Sequence, residues 1–185
     1  MSVTRETAYT LPGIHVTDRE LEVPLVWDDD ADPRRLTLFV RELVDPVRRH
    51  DDLPLLVFLQ GGPGGKGPRP TGPDGWVGTA LATHRVVLLD QRGTGRSSAV
   101  RGAALAARGP GAVQAEYLSR FRADAIVADA EHVRRTVYGG RRWTSLGQSY
   151  GGFLTLTYLS QAPEALAACY VTGGLPGLTA DAREV

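Results

Sequence analysis

The chain has little or none of several features that define large protein classes. Its single cysteine, Cys169, excludes an internal disulfide framework and is typical of a protein from a reducing compartment. Its formal net charge is zero, and no run of like charge exceeds three or four residues. Because a nucleic-acid-binding protein normally carries a basic surface, we expect no nucleic-acid partner.

Long apolar runs are also absent. No window approaches the roughly 18 consecutive apolar residues that a membrane-spanning helix requires. The segment from Met1 to Thr7 does not combine a basic stretch with an apolar one, so no signal peptide is apparent. We therefore expect no membrane partner, a cytoplasmic location, and a chain of one ordinary domain in size.

Two kinds of apolar pattern predict a sheet with helices between its strands. Alternating patterns predict half-buried strands near a sheet edge at residues 8–11, 21–27 and 35–41. Short apolar runs predict strands of a parallel sheet, buried on both faces, at residues 55–59, 86–89, 143–146 and 168–171. Helical spacing predicts helices at residues 123–138 and 153–161, and residues 102–111 are expected to form a loop with a helical turn. This alternation predicts an α/β fold with right-handed crossovers.

The most informative motif runs from Gly147 to Gly152 and reads Gly-Gln-Ser-Tyr-Gly-Gly. It fits the G-x-S-x-G nucleophile elbow, a strained strand-to-helix turn that presents Ser149 above the sheet. Larger side chains at Gly147, Gly151 or Gly152 would collide with the neighbouring strand or helix. The N–H of Tyr150 lies at a helix N-terminus and is a candidate donor to an oxyanion.

A second motif, Gln60-Gly61-Gly62-Pro63-Gly64-Gly65, follows the predicted strand at residues 55–59. In α/β-hydrolases the loop after the third strand supplies the other N–H of the oxyanion hole. Gly61 and Gly62 have no side chains, so their amides can approach a substrate carbonyl. Each such donor stabilises a transition state by roughly 3 kcal/mol.

The third motif runs from Asp90 to Ser97, at the end of another predicted strand. We expect Asp90 and Arg92 to brace the neighbouring loops by mutual hydrogen bonds rather than to take part in chemistry. Two nucleotide-binding motifs that this part of the chain partly resembles do not match its sequence. Lys66 is preceded by Gln60 where a phosphate loop needs glycine and is followed by Gly67 where it needs serine or threonine, and Ser98 replaces the third glycine of a dinucleotide fingerprint.

Together the three motifs resemble those of the proline iminopeptidase (prolyl aminopeptidase) family, in its longer-chain branch. Intervening segments are similar too, among them Pro68-Arg69-Pro70, Phe121-Arg122-Ala123-Asp124 and Thr172-Gly173-Gly174-Leu175-Pro176. The similarity extends from about residue 8 to the end of the chain. It implies an α/β-hydrolase fold, a mostly parallel sheet with flanking helices, truncated after about the sixth strand. Residues 1–185 would then be the N-terminal part of a single catalytic domain.

By this resemblance Ser149 is the nucleophile, and Gly62 or Gly61 forms the oxyanion hole with Tyr150. Members of the family release an N-terminal residue, preferentially proline, from peptides without a metal or an organic cofactor. Their common motif has histidine where Gln60 stands, and because the donors are backbone amides we expect glutamine to be tolerated. The helical cap that holds the substrate amine in the family has no counterpart here.

The triad partners of Ser149 are missing from the sequence. In α/β-hydrolases the acid and the histidine follow the serine, whereas His15, His50, His84 and His132 all precede it. The carboxylates after Ser149 are Glu164, Asp181 and Glu184. We therefore expect an incomplete enzyme. Two alternatives stay open: another acyl hydrolase (an esterase, a lactonase or a tripeptidyl aminopeptidase-like enzyme), or a decayed hydrolase that acts as a binding protein.

Overall fold

The computed structural model describes residues 2–174. They form seven strands: Val3–Leu11 (β1), Ile14–Pro24 (β2), Arg35–Val44 (β3), Leu55–Leu59 (β4), Arg85–Asp90 (β5), Trp143–Gln148 (β6) and Leu166–Thr172 (β7). The helices are Gly75–Leu81 (α1), Gly102–Ala106 (α2), Gly111–Leu118 (α3), Ala123–Tyr138 (α4) and Tyr150–Gln161 (α5). Single 3-10 turns lie at Pro46–Arg48, Ser119–Phe121 and Pro163–Ala165.

All seven strands belong to one sheet, in the order β1-β2-β3-β5-β4-β6-β7. β1, β2 and β3 are antiparallel to their neighbours, whereas β5, β4, β6 and β7 run parallel to one another. The parallel part is the predicted α/β sheet, and the alternating N-terminal patterns form its antiparallel extension. β2 is an inner strand of the sheet, because it pairs with both β1 and β3.

Helices cover both faces of the parallel strands. Along β4, Val57 and Leu59 pack with the helices α4 and α5, whereas Leu56 and Phe58 pack with α1 on the opposite face. All five residues of β4 are buried. This burial explains why the strand is apolar at every position rather than at alternate ones.

The helix α4 has the bounds that its sequence pattern predicts. It buries Ile126, Ala130 and Val133 on one face and ends where Gly139 adopts a left-handed conformation with φ of 61°. Glycine adopts this conformation without a Cβ penalty, so it terminates the helix.

Several local predictions were wrong or incomplete. α5 begins at Tyr150 rather than at residue 153, and β6 continues to Gln148. Residues 102–111 form the five-residue helix α2 and a loop, as predicted, whereas α1 and α3 had not been predicted. The two unpredicted helices are seven and eight residues long, too short for an apolar periodicity to stand out.

Candidate active site

The three sequence motifs meet at the carboxyl ends of the parallel strands. β4, β5 and β6 run parallel, so their carboxyl ends point the same way. The glycine loop at residues 60–65 follows β4, the segment at residues 91–97 follows β5, and Ser149 follows β6. Open α/β sheets bind ligands at the carboxyl ends of their strands.

Ser149 occupies a strained turn between β6 and α5. Its backbone has φ of 55° and ψ of −120°, a region that non-glycine residues rarely adopt. The turn is held on both sides, because the Ser149 N–H donates to the Thr172 carbonyl at 2.8 Å and the Gly152 N–H donates to the Ser149 carbonyl at 2.8 Å. Ser149 itself is exposed, as a serine that must meet a substrate has to be.

The three glycines around Ser149 have no room for a side chain. A Cβ on Gly147 would lie 2.1 Å from the Gly151 carbonyl oxygen, and a Cβ on Gly151 would lie 1.8 Å from the Leu59 carbonyl oxygen. A Cβ on Gly152 would lie 2.8 Å from a methyl group of Val171. The close approach of α5 to β4, β6 and β7 therefore requires glycine at these positions.

The glycine loop lies against Ser149. A Cβ on Gly61 would be 2.9 Å from the Ser149 Cβ and 2.8 Å from the Gln148 carbonyl oxygen. The Gly61 N–H donates to the Gln60 side-chain oxygen at 3.0 Å. The Gly62 N–H has no acceptor within residues 2–174, which distinguishes the two amides.

Tyr150 supplies a second free amide on the other side of Ser149. As the first residue of α5, its N–H has no acceptor within the helix. Its ring stacks on Phe153 at 5.8 Å between centroids. Burial raises the pKa of the Tyr150 phenol, and the negative charge of Asp124 raises it further, so the side chain is neutral at pH 7.

A cavity of about 440 Å³ opens above Ser149. Its walls are formed by Gly62, Pro63, Ser149, Tyr150, Phe153 and Gly173. Phe153 and Gly173 had not been singled out as site residues from the sequence. Phe153 follows Tyr150 by three residues, so helical spacing after the motif could have indicated it.

Asp90 and Arg92 hold the loops of the site in place by hydrogen bonds, but the two side chains do not bond to each other. The buried Asp90 carboxylate accepts hydrogen bonds from the Gly67 N–H at 2.9 Å, the Arg96 N–H at 2.8 Å and the Arg69 guanidinium at 2.5 Å. It therefore ties the chain just after the glycine loop to the segment that follows β5. The expectation of a mutual Asp90–Arg92 bond was wrong, because each side chain binds other groups.

Arg92 instead pairs with Asp129 of α4, which sequence reasoning had not identified. Both side chains are fully buried, and the Arg92 guanidinium reaches the two Asp129 oxygens at 2.6 and 2.7 Å. It also donates to the Pro24, Leu25 and Arg120 carbonyls. A partner 37 residues away along the chain leaves no local signal in the sequence.

No general base stands beside Ser149 in the part of the chain that the structure describes. His15 is in β2, His132 is on α4 beside the Trp27 ring, and neither lines the cavity above Ser149. His50 and His84 contact residues next to them in the chain. Asp181 and Glu184 lie outside the described residues.

Two further findings concern cofactors and membranes. Among residues 2–174, no three His, Cys, Asp or Glu side chains are grouped so that they could hold a metal ion. No helix in the same range is long and apolar enough to cross a membrane.

Comparison with known proteins identifies the family of the chain. A family model described as alpha/beta hydrolase fold matches residues 54–184. A proline iminopeptidase from Aeromonas sobria is 47% identical over 177 residues, 96% of this chain and 41% of that protein. A proline iminopeptidase from Aspergillus aculeatus is 37% identical over 171 residues, 88% of this chain and 38% of that protein. The chain thus spans about two-fifths of the length of these curated relatives.

A solved structure agrees at the level of the fold. A hydrolase from Pseudomonas aeruginosa has a TM-score of 0.55 at 18% identity, over 84% of this chain and 46% of that chain. The family match covers the strands β4 to β7, the glycine loop and the serine turn whose geometry is described above. The chain therefore belongs to the alpha/beta hydrolase fold family, and within that family it is similar to the proline iminopeptidases.

Proposed function

We propose that the full-length gene product containing this chain is a serine aminopeptidase that releases N-terminal proline from peptides. The observation that carries the proposal is the strained, exposed Ser149 beside a loop with a free amide at Gly62. The names of the two curated relatives supply the substrate class. In this proposal residues 1–185 are part of one catalytic domain, and the reaction takes place in the cytoplasm.

Each predicted site residue has a role in the proposal. Ser149 is the nucleophile, and the elbow glycines Gly147, Gly151 and Gly152 let α5 approach closely enough to hold its turn. The N–H groups of Gly62 and Tyr150 donate hydrogen bonds to the oxyanion. We favour Gly62 over Gly61, because the Gly61 amide is already bonded to the Gln60 side chain.

The chemistry is acyl transfer through a covalent intermediate. A histidine base from the remainder of the protein takes the proton from the Ser149 hydroxyl, and the serine oxygen attacks the carbonyl of the N-terminal proline. The carbonyl oxygen becomes negative while the Gly62 and Tyr150 amides stabilise it. The C–N bond then breaks, the base returns its proton to the leaving amine, and water hydrolyses the acyl-enzyme. No cofactor is required.

Asp90 and Arg92 support this geometry without taking part in the chemistry. Asp90 fixes Gly67, just after the glycine loop, and Arg92 fixes the segment after β5 against α4. Their burial makes both anchors rigid, which is what preorganised amides need to stabilise a developing charge.

The test compares two substrates on the full-length gene product and its Ser149→Ala variant. Proline 2-naphthylamide should be hydrolysed with the higher kcat/KM, and the activity should disappear in S149A. A preference for a short ester such as p-nitrophenyl acetate would instead favour an esterase on the same fold. Activity of S149A equal to that of the wild type would contradict the proposal.

The 185-residue chain by itself provides a second comparison. It contains no histidine after Ser149, so we expect it to react with a fluorophosphonate far more slowly than the full-length product does. Equal labelling of the two at Ser149 would show that a general base lies within this chain.

A further inference from the structure

Phe39 is a buried aromatic residue whose place core packing does not explain. It is fully buried in β3, yet it belongs to neither of the two apolar cores of the described residues, whereas the residues on either side of it in β3 do. Guanidinium groups cover its ring instead. The distance from Cζ to the ring centroid is 4.0 Å for Arg96, 4.9 Å for Arg69 and 5.9 Å for Arg41. Because the negative face of an aromatic ring attracts cations at such distances, Phe39 serves as a platform for charged side chains.

Carboxylates of β2 hold two of these guanidinium groups in place. The Arg41 guanidinium donates to both oxygens of Asp18, at 2.7 and 2.8 Å. The Arg96 guanidinium donates to Asp18 at 3.2 Å and to Glu20 at 2.9 Å. The antiparallel extension of the sheet therefore supplies both the ring on which Arg96 lies and the acids that keep Arg96 there.

Two of the arginines belong to the loops that surround the candidate active site. Arg69 follows the glycine loop, and its guanidinium donates to the Gly67 carbonyl at 2.7 Å and to the buried Asp90 carboxylate at 2.5 Å. Arg96 lies in the segment after β5, and its main-chain N–H donates to the same carboxylate at 2.8 Å. The Phe39 ring therefore carries one side chain from each of the two segments that Asp90 connects.

The main chain of Phe39 is bonded to the same part of the molecule. Its N–H donates to the Ser97 hydroxyl oxygen at 2.7 Å, and that hydroxyl donates to the Asp90 carbonyl at 2.6 Å. The Asp90 carboxylate in turn accepts the Gly67 N–H at 2.9 Å, and Gly67 follows Gly62 by five residues. Direct contacts thus link Phe39 to the loop that carries the Gly62 amide.

We propose that Phe39 is a positioning residue for the oxyanion hole, and that it acts through Arg69 and Arg96 on the glycine loop. This inference rests on the proposed function and gives the antiparallel extension a part in it. Phe39 does not line the cavity above Ser149, so it has no contact with the reacting atoms. Hydrogen-bond donors stabilise a developing charge best when their positions are fixed beforehand. Loosening the contacts on Phe39 should therefore slow the chemical step more than it weakens substrate binding.

The experiment uses the full-length gene product with Phe39→Leu, with Arg96→Ala and with both changes. F39L keeps an apolar side chain but removes the ring face, and R96A removes one guanidinium from it. Arg108→Ala is the matched control, because the Arg108 guanidinium covers the Tyr117 ring at 3.3 Å and Arg108 does not line the cavity above Ser149. Two rates are measured, the labelling of Ser149 by a fluorophosphonate and the hydrolysis of proline 2-naphthylamide. Both are divided by the final amount of labelled Ser149, which counts the folded sites.

F39L should lower the labelling rate constant and kcat by about tenfold, a fraction of the roughly hundredfold that loss of an oxyanion donor costs. KM should stay within about twofold of wild type. R96A should lower the same two rates by about threefold. The double variant should be less impaired than the product of the single effects, because both changes remove the same contact. R108A should leave both rates within about twofold of wild type.

Several outcomes would overturn the positioning role. One is an F39L protein with fewer labelled sites but wild-type rates per site, because Phe39 would then only stabilise the fold. Wild-type rates in R96A are another, and they count even if F39L does not fold, because the Arg96 side chain is 45% exposed and its loss spares the core. Single effects that multiply in the double variant are a third.

The two rates also separate this inference from the proposed function. Slower labelling of F39L, together with a wild-type protein that hydrolyses p-nitrophenyl acetate but not proline 2-naphthylamide, would support the positioning role and overturn the proposed function. Wild-type protein that does not label at Ser149 would overturn both.

Discussion

At the scale of single residues, the candidate site depends on glycines at places where backbones touch. Gly151→Ala would put a Cβ 1.8 Å from the Leu59 carbonyl oxygen. We expect G151A to lower the free energy of unfolding by about 3 kcal/mol and to abolish fluorophosphonate labelling in the full-length product. The measurements are urea unfolding and labelling.

The control for this prediction is Gly102→Ala. Gly102 begins α2 and has open space where a Cβ would stand. Its change in stability should stay within about 0.5 kcal/mol. A G151A protein as stable as G102A would mean that α5 does not approach β4 as closely as described.

The buried Gln91 controls the glycine loop through one hydrogen bond. Its side-chain N–H donates to the Gln60 carbonyl at 2.7 Å. Gln91→Leu would leave that carbonyl without its partner, at a cost of about 1–3 kcal/mol, and would loosen the loop that carries the Gly62 amide. We expect kcat for proline 2-naphthylamide to fall more than KM changes.

Gln114→Leu is the matched control for Gln91. The Gln114 side chain also donates to a main-chain carbonyl, that of Gly109, but it does not line the cavity above Ser149. Q114L should keep kcat near wild type. If Q91L and Q114L reduce kcat equally, Gln91 has no specific role in positioning the loop.

The sequence predicted the glycines of the nucleophile elbow, but it did not predict the hydrogen-bond partners of the residues around it. The steric need for glycine at positions 147 and 151 follows from the strand-turn-helix pattern alone, and the structure has the short contacts that this need implies. Whether the Gly61 N–H is hydrogen-bonded depends on the side-chain conformation of Gln60. The Arg92–Asp129 pair depends on the packing of α4. Neither can be deduced from local sequence.

At the scale of elements, Glu131 joins α4 to α5 and β6. Its carboxylate accepts hydrogen bonds from Arg134 and from the Tyr158 hydroxyl, and Tyr158 in turn accepts one from the Trp143 indole. Burial opposes the charge, but the bonds from Arg134 and Tyr158 outweigh it, so the pKa of Glu131 lies below its ordinary value. Its stabilising contribution is therefore complete above about pH 4.3 and is lost as pH falls through the lowered pKa.

Glu131→Gln should lower the free energy of unfolding by about 2–3 kcal/mol at pH 7. The difference from wild type should shrink toward pH 3, because the wild-type carboxylate is then being protonated. Urea unfolding at pH 7, 5, 4 and 3 measures the trend. Glu22→Gln is the control, because Glu22 is exposed and has no ion pair in the described part of the chain. A wild-type advantage that stays constant with pH would contradict this role of the Glu131 charge.

The elements differ in how far their sequences determine them. β4 has its predicted bounds because all five residues face the core, and α4 has them because an apolar stripe ends at a left-handed glycine. Apolar spacing alone placed the start of α5 at residue 153, because Gly151 and Gly152 are poor helix formers, whereas the elbow motif had placed Tyr150 at the helix N-terminus. Only tertiary contact makes glycine necessary there.

At the scale of the whole molecule, β7 is an open edge of the described sheet. Among the described strands it pairs with β6 alone, and its Tyr170 and Val171 are 58% and 40% exposed. An exposed apolar edge of this kind invites pairing with another chain. We expect the isolated 185-residue chain to be dimeric or larger by size-exclusion chromatography with light scattering.

Tyr170→Lys should shift that distribution toward the monomer, because a lysine on an edge strand opposes pairing. The same substitution at the exposed Leu159 of α5 is the control and should shift it less. A monodisperse wild-type monomer that melts cooperatively would argue against association through β7.

The most direct test of the account is a crystal structure of the full-length gene product after reaction with a fluorophosphonate. The account predicts phosphorus bonded to the Ser149 oxygen, with a phosphoryl oxygen about 2.7–3.1 Å from the amide nitrogens of both Gly62 and Tyr150. Phosphorus on another residue, or a phosphoryl oxygen turned to solvent away from these two amides, would contradict it.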